Sequence, residues 1–321
     1  MSDDPDLREP ASLARELIRC PSITPEEAGA QQRLKIWLER LGFEITDLPF
    51  NGVSNFWAYR QGRGGGHLCF SGHTDVVPPG DPGLWRHAPF EGRIADNTLY
   101  GRGAVDMKGA IACFIAALAR QDEEDTPSVS LAITGDEEGP GHNGTCRMIP
   151  WIREHGNGPD YVLVGEPSSE KRIGDQIRIG RRGSLHARLG IHGIQGHVAY
   201  PERLINPISV MIPALARLAH WKPDHGSENF PPSTLAITAL ETEATAPNVT
   251  PAWARARIAI RFNDLWTSDT LAQALKAEIA AECPDDILET ESHGEAFRNR
   301  DPAWHDTVRK AVEDVTGINP R

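Results

Sequence analysis

The order of strand-like and helix-like segments constrains the fold of this chain more than any other feature of its sequence. Strand-like runs at His67 to Ser71, Ser128 to Thr134 and Asp160 to Val164 alternate with helical patterns. One of these helices, Lys108 to Gln121, is nearly all apolar, which is typical of a helix buried on most sides. Strands that alternate with helices predict an α/β fold with a mainly parallel sheet.

The pattern changes near residue 178, where polar and apolar residues begin to alternate in longer strands. The predicted segments are Ser184 to Ile191, Pro207 to Trp221, Thr234 to Thr242, Ala252 to Asn263, Ser268 to Glu282 and Asp286 to Thr290. Their βαββαβ order resembles a ferredoxin-like α+β module with one face covered by helices. We therefore expect a domain at 179–293 inserted into a first domain, which spans 1–178 and resumes at 294–321 with a helix over Asp301 to Val315.

Charge and hydropathy exclude several classes of function. The chain has 33 Lys and Arg against 45 Asp and Glu, a net charge of −12, whereas binding to a nucleic-acid backbone normally needs a basic face. No apolar run approaches the roughly 18 residues of a membrane span. The acidic start has no apolar signal core, and the five cysteines are scattered, so we expect a cytoplasmic protein.

Acidic and imidazole side chains follow three predicted strands of the first domain, and one more carboxylate precedes the buried helix. Because ligands in open α/β sheets bind beyond the carboxyl ends of the strands, these side chains are expected to meet at one rim. Each alone has an ordinary explanation as a helix cap, a solvated turn or a structural histidine, but their combination indicates a site. The residues are His73, Asp75, Asp106, Glu137, Glu138 and Glu166.

The residue types in this cluster point to metal-dependent chemistry. Close carboxylates raise one another's pKa, and bound divalent cations remove that conflict. A set of histidine and carboxylates without a thiolate suits zinc, cobalt or manganese in a catalytic site. Two such metals lower the pKa of water and clamp a carbonyl oxygen, and a Glu that is not a ligand can serve as general base. Motifs for other chemistry fail, since no Gly-x-Ser-x-Gly elbow occurs and Gly101-x-Gly103 lacks the third glycine of a dinucleotide loop.

Several stretches of the chain resemble the M20 family of dizinc amidohydrolases. Those around the acidic cluster are Ser71-Gly-His73-Thr-Asp75-Val-Val-Pro78, Gly101-Arg-Gly-Ala-Val-Asp106-Met-Lys-Gly109, Asp136-Glu-Glu138-Gly139 and Gly165-Glu166-Pro167. The resemblance is narrowed to the succinyl-diaminopimelate desuccinylase branch by Gly180-Arg-Arg-Gly-Ser184, Gln195-Gly-His-Val-Ala-Tyr-Pro201 and Phe230-Pro-Pro-Ser-Thr234.

This resemblance implies a fold and a reaction. The fold would be a zinc-exopeptidase-like catalytic domain with an inserted ferredoxin-like dimerisation domain. The reaction would be hydrolysis of N-succinyl-LL-2,6-diaminopimelate to succinate and LL-2,6-diaminopimelate, a step of lysine biosynthesis through diaminopimelate. By the same resemblance, each subunit would hold two divalent ions, zinc or cobalt. His73, Asp106 and Glu166 would hold one of them, and Asp106, as the bridging ligand, would hold the other together with Glu138.

The resemblance assigns the remaining roles as well. Glu137 would be the general base, and Asp75 would hydrogen-bond His73 and orient it. The chain would form a homodimer in which His197 reaches the partner's active site and stabilises the oxyanion. Without the resemblance, we would read His197 as a loop residue that caps a turn.

Three residues of the inserted domain match positions that bind the succinyl carboxylate in the family. They are Arg181, Asn248 and Arg261. A planar guanidinium recognises a carboxylate through two hydrogen bonds, which explains the choice of arginine. The alternative is charge on a solvated strand face, which suits Arg255 and Arg257 better than Arg261.

Members of the family continue beyond the position of Pro320. They carry a Gly-Gly-Thr-Ser-Asp-Gly-Arg stretch that helps to bind substrate and, nearer their end, a histidine that completes the second metal site. This sequence stops at Arg321, before both features. Two interpretations stay open: a truncated form of a normal enzyme, or a short protein with one complete metal site. Another M20 deacylase or aminoacylase, and a non-catalytic metal-binding dimer, are the alternative functions.

Overall fold

The protein forms two compact units, Met1–Ser169 and Glu170–Arg321. The structure is a computed structural model that describes residues 5–121, 126–155, 158–243, 246–283 and 287–321. No helix in these ranges combines the length and the apolar character needed to cross a membrane. The compact units do not test the boundaries predicted for an inserted domain, at 178/179 and 293/294, and these stay a prediction.

The first unit contains the three strands and the buried helix that the sequence analysis predicted, together with further helices and strands. Its helices are α1 (Pro10–Ile18), α2 (Ala30–Arg40), α3 (Lys108–Arg120) and α4 (Thr145–His155). Its strands are β1 (Glu44–Asp47), β2 (Phe56–Arg60), β3 (His67–His73), β4 (Arg93–Ala95), β5 (Thr98–Tyr100), β6 (Ser128–Thr134) and β7 (Tyr161–Val164). Strands β4 and β5 form a separate antiparallel hairpin.

The main sheet of the first unit is mixed rather than mainly parallel. Its strand order is β1-β2-β6-β3-β7. Strand β3 runs parallel to both β6 and β7, whereas β2 is antiparallel to β1 and to β6. The difference arises at residues 48–55, which join β1 to β2 without a crossover helix, and such a short connection reverses the chain direction. Strands β3, β6 and β7 still bring their carboxyl ends to the same rim.

Both faces of this sheet are covered at its central strands, whereas the edge strand β7 is largely exposed. Strand β6 is buried at every position. On one face Leu131 and Ile133 belong to a core shared with α1 and α3, and on the other Ala132 packs in a cluster with Met148 of α4. Alternate residues of a strand point to opposite faces, so this burial sets the register of β6 and the place where its chain leaves the sheet.

The second unit has the ferredoxin-like order predicted from the sequence. Its strands are β8 (Gly180–Arg181), β9 (Gly183–His192), β10 (Thr234–Thr242), β11 (Trp253–Phe262), β12 (Ile287–Ser292) and β13 (Phe297–Arg298), and its helices are α5 (Pro207–His220), α6 (Ser268–Ile279) and α7 (Pro302–Thr316). Four strands form an antiparallel sheet in the order β10-β11-β9-β12. The predicted start of β12, Asp286, lies outside the described residues.

One face of this second sheet is covered by helices, as the alternating pattern predicts. Leu189 of β9 and Ile258 of β11 pack in one buried cluster with Leu215 of α5 and Leu271 of α6. The intervening residues, such as Arg188, are exposed on the opposite face. The sequence pattern therefore predicted the order of elements along this part of the chain and the face of the sheet that helices cover.

Candidate metal centre

His73 is the last residue of β3 and stands at the rim formed by the parallel strands. Its side chain is 1% exposed, and its Nδ1 lies 2.9 Å from the backbone oxygen of Asp75. An Nδ1–H that donates to this carbonyl leaves the Nε2 lone pair available to a metal ion. The position and tautomer of His73 therefore suit a ligand.

Two carboxylates from neighbouring chain segments converge on the same imidazole nitrogen. Asp106, two residues before α3, has Oδ1 at 3.0 Å from His73 Nε2, and Glu166, two residues after β7, has Oε1 at 3.2 Å. The ligand atoms of the three residues all lie within 4.8 Å of one another. One imidazole and two carboxylates match the three protein ligands that are typical of a catalytic zinc site with an open position. The donor set fits a divalent cation.

The segment that follows β6 brings two more carboxylates to this rim; we call residues 135–143 the acidic loop. Glu137, whose side chain is about half exposed, has Oε2 at 4.0 Å from His73 Nε2. The buried carboxylate of Asp75 accepts hydrogen bonds from the backbone N–H of Glu138 at 3.0 Å and of Glu137 at 3.3 Å. Asp75 Oδ1 lies 3.5 Å from His73 Nδ1. Asp75 thus contacts both the imidazole and the backbone that carries the two glutamates.

Electrostatics at the rim reflect an excess of negative charge. Burial opposes protonation of His73, but hydrogen bonds and charges from Asp75 and Glu166 outweigh it and raise the pKa of the imidazole to about 11. Burial, with further contributions from Asp106 and other carboxylates, raises the pKa of Glu137 and of Glu138 above the ordinary glutamate value, while His73 opposes this rise. A divalent cation would compensate these charges in place of the imidazole proton.

Two buried residues that we did not single out from the sequence support the rim. Lys108, the first residue of α3, is 0% exposed and donates from Nζ to the backbone oxygen of Cys20 at 2.8 Å; burial lowers its pKa to about 8. Asp136, inside the acidic loop, accepts from the N–H of Asn143 at 2.9 Å and of Gly141 at 3.3 Å. The sequence did contain a feature that could have indicated a buried role for Lys108, because it is a charged residue at the start of an otherwise apolar helix.

In the second unit, the predicted binding residues form two separate hydrogen-bonded groups. His197 Nε2 lies 3.0 Å from the side-chain amide of Asn248, and its Nδ1 accepts from the N–H of Ala199 at 3.1 Å. Arg261 donates from its guanidinium to the hydroxyl of Ser184. Arg181, on β8, is exposed. Within the described residues no hydrogen bond joins these two groups to each other or to Arg181.

Comparison of the sequence with models of protein families shows which family this chain belongs to. The model described as peptidase family M20/M25/M40 matches residues 69–321, which is most of the chain. The chain belongs to the M20 family. The match includes all six residues of the acidic cluster, so the family resemblance that their motifs indicated is confirmed.

Curated relatives of this M20 protein share nearly its whole length. It is 47% identical to "Succinyl-diaminopimelate desuccinylase" of Granulibacter bethesdensis, over 98% of this chain and 84% of the relative. It is also 47% identical to the protein of the same name from Gluconacetobacter diazotrophicus, over 97% of this chain and 82% of the relative. The chain therefore spans more than four fifths of the length of these relatives.

Solved structures support the M20 fold. The M20 family metallo-carboxypeptidase Sso-CP2 from Sulfolobus solfataricus aligns with a TM-score of 0.81 at 17% identity, over 97% of this chain and 84% of that one. The YXEP protein of Bacillus subtilis, described as a dinuclear metal-binding peptidase of the M20 family, aligns with a TM-score of 0.70 at 16% identity, over 97% and 80% of the two chains. At these identities the likeness concerns the fold.

Proposed function

We propose that this M20 protein hydrolyses N-succinyl-LL-2,6-diaminopimelate to succinate and LL-2,6-diaminopimelate, a step in lysine biosynthesis. The observation that carries this proposal is 47% identity over 98% of the chain to a protein named succinyl-diaminopimelate desuccinylase. The cluster of His73, Asp106 and Glu166 supports it, because hydrolysis of an amide by this family is metal-dependent. The protein is accordingly a metal-dependent amidohydrolase.

The candidate ligands would hold two divalent ions, zinc or cobalt. His73, Asp106 and Glu166 would bind one ion, and Asp106 and Glu138 would contribute to the second. When bound, such ions polarise the amide carbonyl and make water more acidic. The short distances from His73 Nε2 to both carboxylates support the first set. For the second set, support comes from the hydrogen bond that fixes Glu138 against Asp75.

Glu137 is proposed as the general base. A carboxylate whose pKa is raised towards neutrality accepts a proton from water and returns it more readily than an ordinary glutamate. Burial and the surrounding carboxylates raise the pKa of Glu137 in this way, and its half-exposed side chain is open to water. In the first step Glu137 removes a proton from the attacking water; in the second it delivers that proton to the leaving amine nitrogen. Asp75 would keep His73 in its orientation throughout.

The second unit is proposed to provide recognition of the succinyl group and stabilisation of the oxyanion. Arg181, Asn248 and Arg261 would bind the succinyl carboxylate, and the hydroxyl of Ser184 would fix the guanidinium of Arg261 through the hydrogen bond between them. His197, oriented by the N–H of Ala199, would donate a hydrogen bond to the oxyanion in the partner subunit's active site.

We further propose a homodimer formed by an inserted dimerisation domain at residues 179–293. Among the residues that the structure describes, strand β10 pairs on one side only, with β11, and such an edge pairs readily with another copy. Leu240 on this strand is 64% exposed, and Ile212 on the adjacent helix α5 is 60% exposed. An unpaired edge beside exposed apolar side chains suits a two-fold interface. A cytoplasmic location is proposed from the five free cysteines, which are typical of a reducing compartment.

Substrate hydrolysis tests the proposal directly. The purified chain, supplied with zinc or cobalt, should release succinate from N-succinyl-LL-2,6-diaminopimelate and leave N-acetyl amino acids intact. Turnover of an N-acetyl amino acid without release of succinate would replace the desuccinylase assignment by another M20 deacylase. Binding of metal without turnover of either compound would favour a non-catalytic, metal-binding dimer.

A further inference from the structure

We propose that Asn55 is a positioning residue for the acidic loop that carries Glu137 and Glu138. This inference rests on the proposed function, because it assigns Asn55 a part in the reaction that the acidic loop performs. Asn55 directly precedes β2, and its side chain is 1% exposed. Its hydrogen bonds go to the chain around the loop and not to the candidate ligands, so it acts through other groups.

The amide of Asn55 joins the two ends of the acidic loop. Its Oδ1 accepts from the hydroxyl of Thr134 at 2.7 Å and from the N–H of Gly135 at 3.3 Å, where the chain leaves β6. Its Nδ2 donates to the backbone oxygen of Asn143 at 2.9 Å, where the loop ends. One side chain thereby fixes the entry and the exit of the segment that contains both glutamates.

Asn55 is itself held firmly enough to impose this geometry. Its Nδ2 also lies 3.2 Å from the backbone oxygen of Leu48 and 3.3 Å from that of Val53. The next residue, Phe56, is fully buried and is paired with Ile133 in the sheet. The amide offers an acceptor and a donor at this place, whereas a carboxylate cannot donate and an apolar side chain can do neither.

The acidic loop depends on such hydrogen bonds because little of it is packed in the core. Glu137 is exposed and Glu138 half-buried, so apolar packing contributes little to where they stand. Space around the loop is nevertheless tight: a Cβ on Gly135 would lie 2.8 Å from the oxygen of Ser54, and one on Gly139 2.6 Å from Asp136 Oδ1. A loop held at its ends in so little space keeps its glutamates in one position.

Two variants of Asn55 and one matched control test this role. Asn55→Ala removes the acceptor and the donor, whereas Asn55→Asp keeps the acceptor for Thr134 and Gly135 but loses the donor to Asn143. The control is Ser130→Ala, which removes an equally buried hydrogen bond, 2.8 Å from Oγ to His67 Nε2, in the middle of β6. Both kinds of change weaken the sheet, but only the Asn55 variants should loosen the acidic loop.

Two measurements separate positioning from general stability. For the folded fraction of Asn55→Ala we expect kcat to fall by about 10²-fold with KM changed by less than about twofold, since misplacement of a reacting group by ~1 Å costs that much. Hydrogen exchange of a peptide covering residues 135–143, measured in metal-free protein, should be at least about tenfold faster in both Asn55 variants, which corresponds to the loss of one hydrogen bond. Ser130→Ala should leave kcat and the exchange rate of this peptide unchanged.

The outcomes distinguish this inference from the proposed function. Unchanged exchange of residues 135–143 in both Asn55 variants would refute it, as would an equal loss of kcat in Ser130→Ala. If Asn55→Ala does not fold, Asn55→Asp decides by the same criteria. If the parent chain does not release succinate, the desuccinylase proposal fails, and the exchange measurement alone decides whether Asn55 fixes the loop.

Discussion

Glu137 and Glu138 are neighbours in the sequence, yet their surroundings suit them to different tasks. Both pKa values are raised by burial and by nearby carboxylates. Of these two glutamates, Glu137 is the one with a carboxylate oxygen at 4.0 Å from His73 Nε2, and its side chain is about half exposed to solvent. Access to water is what a general base requires and what a metal ligand does not need.

The variant Glu137→Gln tests this difference at the scale of one residue. It should lower kcat by about 10³-fold, because general-base catalysis typically contributes 10²–10⁴-fold, and it should leave metal binding within a few-fold of the parent chain. Calorimetric titration with zinc and a succinate-release assay provide the two readings. Glu39→Gln, on the exposed side of α2, is the control and should change neither. Turnover retained in Glu137→Gln would remove Glu137 from its proposed role.

Site residues could be predicted from the sequence where they lie at the ends of neighbouring strands. Residues whose hydrogen-bond partners are far away in the sequence could not be predicted. His73, Asp106 and Glu166 could be placed together because parallel strands end at one rim. Lys108 and Asn55 could not, since their hydrogen bonds go to Cys20 and Asn143, each about 88 residues away in the sequence. Such pairings depend on the three-dimensional packing of loops, which no local pattern encodes.

At the scale of elements, Asp224 connects the loop after α5 to the end of β11. It accepts from the N–H of Gly226 at 2.8 Å and of Ser233 at 3.1 Å, from Nδ2 of Asn263 at 2.7 Å and from Nε1 of Trp266 at 2.9 Å. Burial alone would raise the pKa of Asp224, but these hydrogen bonds outweigh it and lower the pKa to about 2. The charged carboxylate is therefore favoured by the folded state.

This shift gives a stability prediction with a defined pH window. Because the folded pKa lies below the ordinary value of 3.8, the stabilisation is complete above about pH 5 and is lost as the pH falls from 3.8 towards 2. Asp224→Asn should lower the free energy of unfolding by about 2 kcal/mol at pH 7. Denaturant unfolding at pH 7 and at pH 2.5 measures it, with exposed Glu228→Gln as control. An equal loss at both pH values would show that the charge contributes nothing.

Elements were predicted correctly where the pattern of side chains determines whether a segment forms a strand or a helix. The prediction failed where a connecting loop determines the direction of the next strand. Strand β6 was predicted over Ser128 to Thr134, the same residues that form it, because this run is rich in β-branched residues. The mainly parallel sheet was wrong because the direction of β2 is decided by the loop at 48–55, where Asn51 and Gly52 form a tight turn with positive φ at both residues. This Asn-Gly pair is a strong turn signal, which the prediction did not use. In the second unit, regular alternation was sufficient to predict the strands and the covered face.

At the scale of the whole molecule, the metal centre proposed at the acidic cluster predicts that stability depends on metal. Zinc that binds only the folded state at about 100 times its Kd adds roughly 2.7 kcal/mol, which would raise the midpoint of thermal unfolding of the first unit by about 5–10 °C. Scanning calorimetry with and without a chelator measures this shift, and chelation should also abolish hydrolysis. His73→Ala should remove the shift, whereas His197→Ala should keep it. A shift of equal size in His73→Ala would refute the assigned ligands.

The proposed dimer makes the sharpest prediction at this scale, because it assigns each active site residues of two subunits. Glu137→Gln and His197→Ala dimers should each be inactive or nearly so. After the two are mixed and their subunits exchange, half of the dimers are mixed dimers. In a mixed dimer one site combines an intact Glu137 with an intact His197 of the other subunit. Activity should then recover to about one quarter of the parent level, as expected for a two-fold assembly with shared sites.

If His197 acts within its own subunit, no mixed site has both residues and no activity returns. The control is a mixture of Glu137→Gln with Asp106→Asn, because the proposed dimer places both residues in the same subunit's site. This mixture should restore no activity, so any recovery in the first mixture is due to His197 crossing the interface.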